Sequence, residues 1–295
     1  RNERTNFNFK KEIEMKKYFI TYGDDAFYLS RKQLAKQAQK SGLFDEVIVY
    51  TPKDLPDSIK ASPLMAYKRG GGYWVWKPYV IFQTLNLCQE GDIVVYADAG
   101  CTINASSEEW NLWFHYLETY NAIFFQYKSI DHYPDWQMFC KDKRFWSTEI
   151  KYWTKQETLN FFENYVGNDA FMTFRKIWGG CILVKKCKAN FIIDEWLRIN
   201  LFHPELVIDP SEKEMVNQYE FYIAHRHDQS IITPLVYYWK DSQKLMVLPE
   251  SQETDPRHSA IDASRVRHRN PYTGLGFLRR VKVFLKLHLS FLKRH

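Results

Sequence analysis

From residue 15 onward the apolar and polar positions fall into two alternating periods. Residues 17–23, KYFITYG, are a β-branched and aromatic run closed by glycine, which predicts a strand. Residues 27–44, FYLSRKQLAKQAQKSGLF, repeat apolar positions every three to four residues and stop at Gly42, which predicts an amphipathic helix. EVIVYTP at 46–52 predicts a second strand, so strand, helix and strand form a βαβ unit with parallel strands and a right-handed connection. A third unit follows, with GYWVWKPYVIFQTLNLC at 72–88 as helix and DIVVYADAG at 92–100 as strand. That last strand is apolar on both faces, as a central strand of a mostly parallel sheet must be. The fold class expected is α/β, with helices on both faces of the sheet.

Composition sharpens this picture. A chain of 295 residues, 45% apolar and 17% aromatic, can bury a large core, which excludes disorder of the whole chain. Five cysteines (Cys88, Cys101, Cys140, Cys181, Cys187), odd in number and without a C-x-x-C pair, fit reduced thiols in a cytoplasmic protein better than a disulfide framework or structural zinc. No run approaches the roughly 18 uncharged apolar residues of a spanning helix, and residues 1–14 lack an apolar signal core, so the body is expected neither to span a membrane nor to be exported. Three parts are expected: a polar linker or appended remnant at 1–14, one domain at 15–270, and a tail at 271–295. The tail carries part of the net charge of +6. On a helical wheel its Phe277, Leu278, Val281, Phe284, Leu285, Leu289, Phe291 and Leu292 share one arc, with Arg279, Lys282, Lys286 and Lys293 opposite. A basic amphipathic helix of this kind predicts a peripheral anchor on the anionic inner face of the plasma membrane; docking on the domain is the other reading. Outside the tail, acids and bases nearly balance and no RNA-binding signature occurs, so nucleic acid is not an expected partner.

Open α/β sheets collect ligands beyond the carboxyl ends of their strands. Asp98 stands at such an end in GDIVVYADAGC (91–101), and Thr21, Tyr22 and Gly23 share that rim. No G-x-G-x-x-G or Walker lysine motif is present, so a nucleotide held there needs another grip, of which a metal on Asp98 is one. In RGGGYWVWKP (69–78), three glycines make a flexible loop that can close. Arg69 and Lys77 flank it with charge suited to a leaving diphosphate, and Lys77 has no reason to be buried unless it meets an anion. Trp74 and Trp76 diverge by about 200° on a helix, so at most one faces a given ligand; core packing is the other reading of Trp74. AHRHDQSI (224–231) gathers two histidines, an arginine and Asp228, which either acts in the chemistry or caps the helix that follows, the two roles being compatible. Trp178 in KIWGGCILVKK (176–186) either stacks on a sugar face or packs in the core, with Gly179 and Gly180 as a bulge. Asp194 and Glu195 in DEWLRI are rival bases, ranked lower because their helix turns Trp196, Leu197 and Ile199 to the core.

GGGYWVWKP, GDIVVYADAGC, KYWTKQETLNFF (151–162) and HRHDQSI (225–231), in this order and spacing, resemble bacterial glycosyltransferases of GT-A fold associated with capsule and O-antigen synthesis. The resemblance covers roughly residues 15–269. It implies a three-layer α/β/α domain, a nucleotide-sugar donor (most often a UDP-sugar) and a lipid-linked glycan acceptor. It also implies a divalent cation, Mn2+ or Mg2+, on Asp98 and His227. Donor contacts fall on Thr21, Tyr22, Gly23, Arg69, Trp76, Lys77, Asp98, Ala99 and Gly100, and acceptor contacts on Trp178, Gly179, Gly180 and Gln229. Asp228 is the candidate general base of an inverting transfer; a retaining enzyme and a non-catalytic carbohydrate-binding module are the alternatives. The chain departs from the family's Asp-x-Asp, which is here Asp98-Ala99-Gly100. The missing second carboxylate weakens the grip on a metal, and Gly100 is expected to leave room for the donor sugar.

Overall fold

The computed structural model describes residues 15–134 and 146–266, together with Val281. Six strands form one sheet in the order β2-β1-β3-β6-β5-β7: β1 (Lys17–Tyr22), β2 (Glu46–Tyr50), β3 (Ile93–Ala97), β5 (Ala122–Gln126), β6 (Ile177–Lys185) and β7 (Leu245–Pro249). A separate two-stranded ribbon joins β4 (Thr102–Ile103) to β8 (Ile261–Asp262). β1 pairs in parallel with β2 and β3, β5 pairs in parallel with β7, and β6 alone runs antiparallel to its neighbours β3 and β5. The fold is therefore α/β with a mostly parallel sheet.

Period-2 alternation sends β3 to both sides at once. Ile93, Val95 and Ala97 enter one core with Leu34 and Ala38 of α1 (Tyr28–Ser41) and Trp110, Trp113 and Leu117 of α3 (Glu109–Thr119). Val94 and Tyr96 enter the other. That larger core is covered by α2 (Trp76–Leu87), α4 (Gln156–Val166), α5 (Ile192–Phe202) and α6 (Asp228–Trp239). All five β3 side chains are buried, as a strand covered by helices on both faces requires. Helix α1 ends where expected, with Gly42 in the left-handed conformation after Ser41. Asp194 and Glu195 lie in the first turn of α5, and Glu195 is tied to Arg198 and Tyr165.

One expectation is corrected. The helix expected at 72–88 begins only at Trp76, because residues 70–74 take a different path described below. Gly179 and Gly180 lie inside β6, where the register against β5 jumps from Phe124↔Ile182 to Phe125↔Trp178, the bulge expected of them. Cys140, residues 1–14 and the tail apart from Val281 lie outside the described residues, and Val281 itself is helical and exposed. Among the described residues no helix is long and apolar enough to cross a membrane.

Candidate active site

β1 and β3 end, and antiparallel β6 begins, on the same edge of the sheet. A cavity of about 700 Å³ opens there, within the range of small-molecule sites. It gathers Tyr22 and Gly23 at the end of β1, Asp98, Ala99 and Gly100 just past β3, and Trp178, Gly179 and Gly180 from β6. Arg69, Trp76 and Lys77 reach it from the glycine-rich segment, and His227, Asp228 and Gln229 from the start of α6. Thr21 is the exception and corrects the expectation. Its side chain points to the opposite face of the strand from Tyr22, is fully buried, and its hydroxyl finds no hydrogen-bond partner among the described residues.

Lys77 organises the floor. It sits in the first turn of α2, only 2% exposed, where the helix dipole opposes a cation. Its Nζ lies 2.7 Å from Asp228 Oδ2, 2.9 Å from the Gly179 carbonyl and 3.4 Å from Asp98 Oδ1. Burial disfavours the ammonium, but Asp228 and then Asp98 outweigh it, and the Lys77 pKa ends above its usual value. The anion that justifies burying Lys77 is thus internal. Two of its N–H groups are spent on Asp228 and the Gly179 carbonyl, and its charge is shared with Asp98.

Each carboxylate keeps one oxygen in reserve. Asp98 Oδ1 also accepts from the Tyr96 hydroxyl, while its Oδ2 has no hydrogen-bond partner among the described residues. Asp228 opens α6 at its first position, where the dipole favours a carboxylate, and its Oδ1 is equally unengaged. Beside it the Gln229 side-chain oxygen is buried without a partner among the described residues.

Residues 70–74 form a left-handed turn: Gly70, Gly71, Gly72, Tyr73 and Trp74 all have positive φ, between 49° and 100°. Glycine adopts this backbone without penalty, whereas Tyr73 and Trp74 each carry a cost of about 1–2 kcal/mol. A Cβ on Gly72 would lie 2.5 Å from Met65 Sδ, so three glycines mark a tight fixed turn rather than the flexible loop expected. Trp76 locks the turn by donating from Nε1 to the Gly70 carbonyl at 2.9 Å, and its ring stacks on Tyr22 at 3.9 Å.

The loop before α6 is fastened by the segment 151–162. The Trp153 carbonyl accepts from the Arg226 N–H and the Ser230 hydroxyl, both at 3.0 Å. The Lys155 N–H donates to His225 Nδ1 at 3.2 Å, and His225 Nε2 donates to the Leu206 carbonyl at 3.0 Å. These bonds fix His225 as one neutral tautomer; burial, then the neighbouring His227, pushes its pKa well below the ordinary value. His227 is held with φ at 50°. Its Nδ1 donates to the Val207 carbonyl at 2.9 Å, and burial lowers its pKa too.

The donor set bears on the expected cation. Among the described residues no group of three or more His, Cys, Asp or Glu side chains could hold a metal. His227 turns its remaining nitrogen toward Asp209 Oδ1, 3.7 Å away, which corrects its pairing with Asp98. Asp98 Oδ2 is a suitable hard ligand, but the rest of a shell would have to come from substrate oxygens and water. Gly100 is also corrected: a Cβ there would face the backbone of Arg265 and Val266 at 3.4–3.6 Å, not open space for a sugar.

Lys176, Arg226, Glu253 and Arg265 also line the cavity, although the sequence reading assigned none of them a role. Lys176 and Arg226 had a signal, being charges set against apolar runs. Burial, then Arg226, depresses the Lys176 pKa well below its usual value. Arg265 pairs with Glu253 at 3.0 Å across the cavity wall, a contact no local pattern announces.

No protein-family model matches the chain, and no curated protein matches it. Solved structures to which it is similar include the galactosyltransferase LgtC in complex with donor and acceptor sugar analogues, at 13% identity over 86% of this chain and 85% of that one, with a TM-score of 0.35. Mouse xyloside xylosyltransferase 1 shares 11% identity over 79% and 85%, with a TM-score of 0.38. A glycosyltransferase involved in glycosylation of the major capsid of PBCV-1 shares 10% over 71% and 81%, with a TM-score of 0.35. At such distances the likeness says nothing of donor, acceptor or catalytic groups in this chain.

Proposed function

We propose that this chain is a GT-A-type glycosyltransferase that moves a sugar from a nucleoside diphosphate, a UDP-sugar being the expected donor, to a hydroxyl of a glycan acceptor carried on a lipid. The observation that carries this reading is the buried Lys77 bridge: it fixes two carboxylates, Asp98 and Asp228, at the mouth of a strand-end cavity, each with one oxygen unengaged. A pure binding surface has no use for two carboxylates held at the cost of burying a lysine.

In this reading the donor C1–O bond to the β-phosphate breaks as the acceptor oxygen bonds to C1 from the opposite face. The acceptor proton passes to Asp228 Oδ1, and the diphosphate leaves with the bonding pair. Lys77 stays protonated throughout and keeps Asp228 from swinging away. Lys68 and Arg69 on the rim face the leaving charge. Asp98 Oδ2 would hold a divalent ion, which when bound would supply positive charge to neutralise the leaving diphosphate.

The test is release of nucleoside diphosphate from a panel of nucleotide sugars, with and without acceptor. Asp98→Asn and Asp228→Asn should each lower kcat by a hundredfold or more. NMR of the product should show an inverted anomeric centre; retention would move Asp228 from base to stabiliser of the developing positive charge. Binding of sugars without any release of nucleotide would leave a carbohydrate-binding module instead.

A further inference from the structure

Asp209 lies outside the cavity, on the segment leading to α6, and Pro210 behind it biases its backbone toward extended geometry. Its Oδ2 accepts from Arg69 Nη1 and from the Tyr73 hydroxyl, each at 3.0 Å. Its Oδ1 faces His227 Nε2 at 3.7 Å. Two residues earlier, the Val207 carbonyl takes the His227 Nδ1 proton at 2.9 Å. One short stretch, 207–209, therefore holds both the left-handed turn and the residue that precedes Asp228.

The residues it holds are the strained ones. Among the described residues five non-glycines have positive φ, and Tyr73, Trp74 and His227 are three of them. Their rings lie together, with His227 at 4.7 Å from Tyr73 and 5.6 Å from Trp74. Strained backbone persists only where its surroundings over-determine it. Here the polar ties of the turn to 207–209 run through one carboxylate that is 38% exposed.

We infer that Asp209 is a positioning residue, which pins the 69–74 turn to the His227 loop and so presents Arg69 and Trp74 to the donor. This role rests on the transferase reading for its consequence in turnover, but the pin itself can be tested without substrate. Lys68 and Arg69 are trypsin sites at the edge of the turn. In the intact chain, Asp209→Ala should raise the rate of tryptic cleavage at Lys68 and Arg69 tenfold or more. In the transfer assay it should raise the donor KM at least tenfold, with a smaller change in kcat. Tyr73→Phe removes one of the two hydrogen bonds and should act in the same direction by two- to fivefold. The double variant should be no worse than Asp209→Ala alone, because both act through one contact. Unchanged cleavage, altered cleavage with donor KM unmoved, or effects that multiply in the double variant would each overturn the proposal. If Asp209→Ala fails to fold, Tyr73→Phe decides it. Should the wild type turn over no nucleotide sugar, the transferase reading fails while the cleavage result still judges the pin.

Discussion

Residues 69–77 and residues 225–229 both bring left-handed, non-glycine backbone to the cavity wall, and they are held there in opposite ways. The glycine turn takes most of its unusual backbone in residues that bear it freely, and its outer side is tied by Asp209 in partly exposed contacts. The histidine loop has no glycine. It is nailed by buried hydrogen bonds to the Trp153, Leu206 and Val207 carbonyls and from the Lys155 N–H. The contrast teaches where damage should show: at the turn's outer edge in ligand handling, and at the loop in folding. Lys77 belongs to both, since it leaves the turn and ends on the loop.

Breaking that junction should produce the largest effect. Lys77→Ala strands Asp228, 6% exposed, as an uncompensated buried charge, and should cost about 3–5 kcal/mol in denaturant unfolding. Lys77→Met with Asp228→Asn should restore most of the stability and none of the turnover. A single Lys77→Ala variant of wild-type stability would mean that water reaches the pair and that the bridge does not organise the floor.

Next in size comes the turn itself. Gly72→Ala meets Met65 Sδ at 2.5 Å and Met65 Cα at 3.1 Å in addition to its positive φ, and should lose about 2–4 kcal/mol. Gly71→Ala, with nothing nearer than 3.6 Å, should lose only about 1–2 kcal/mol for the backbone alone. Equal losses at the two positions would deny that packing against Met65 sets the turn.

The smallest effect sharpens the loop's side of the comparison. His225 and His227 have folded pKa values below the ordinary 6.5, so between those limits the unfolded chain binds more protons. Stability is therefore complete above pH 6.5 and falls as the pH drops below it, most of the fall coming from the more deeply buried His225. Unfolding midpoints measured from pH 7.5 to 5 should show this slope, and His225→Asn should flatten it. A slope unchanged in that variant would locate the acid lability elsewhere.

Much of the architecture was legible in the chain because local pattern carries it. The alternation in 17–23 and 92–100 and the helical period ending at Gly42 need no tertiary knowledge, and strand ends are where α/β sheets bind ligands. That reasoning placed Tyr22 and Asp98 on one rim, and the cluster at 224–231, with the family resemblance, supplied Asp228 on the same cavity. It misread Thr21, because a rim position does not tell which face a side chain takes. It took three glycines for flexibility, because a fixed left-handed turn and a mobile loop ask for the same residue. It could not see Asp209, Glu253 or Arg265, whose partners Arg69, Tyr73, Trp178 and each other come from distant stretches.

By itself the sequence determined the period of each element, the buried central strand and the residue types delivered to its carboxyl end, since these follow from neighbours a few positions apart. Only the tertiary structure decided that the Lys77 ammonium is paired with Asp228 and Asp98 and that His227 faces Asp209 rather than Asp98. Charges act over a few ångströms of space, and Lys77 and Asp228 stand 151 residues apart in the chain.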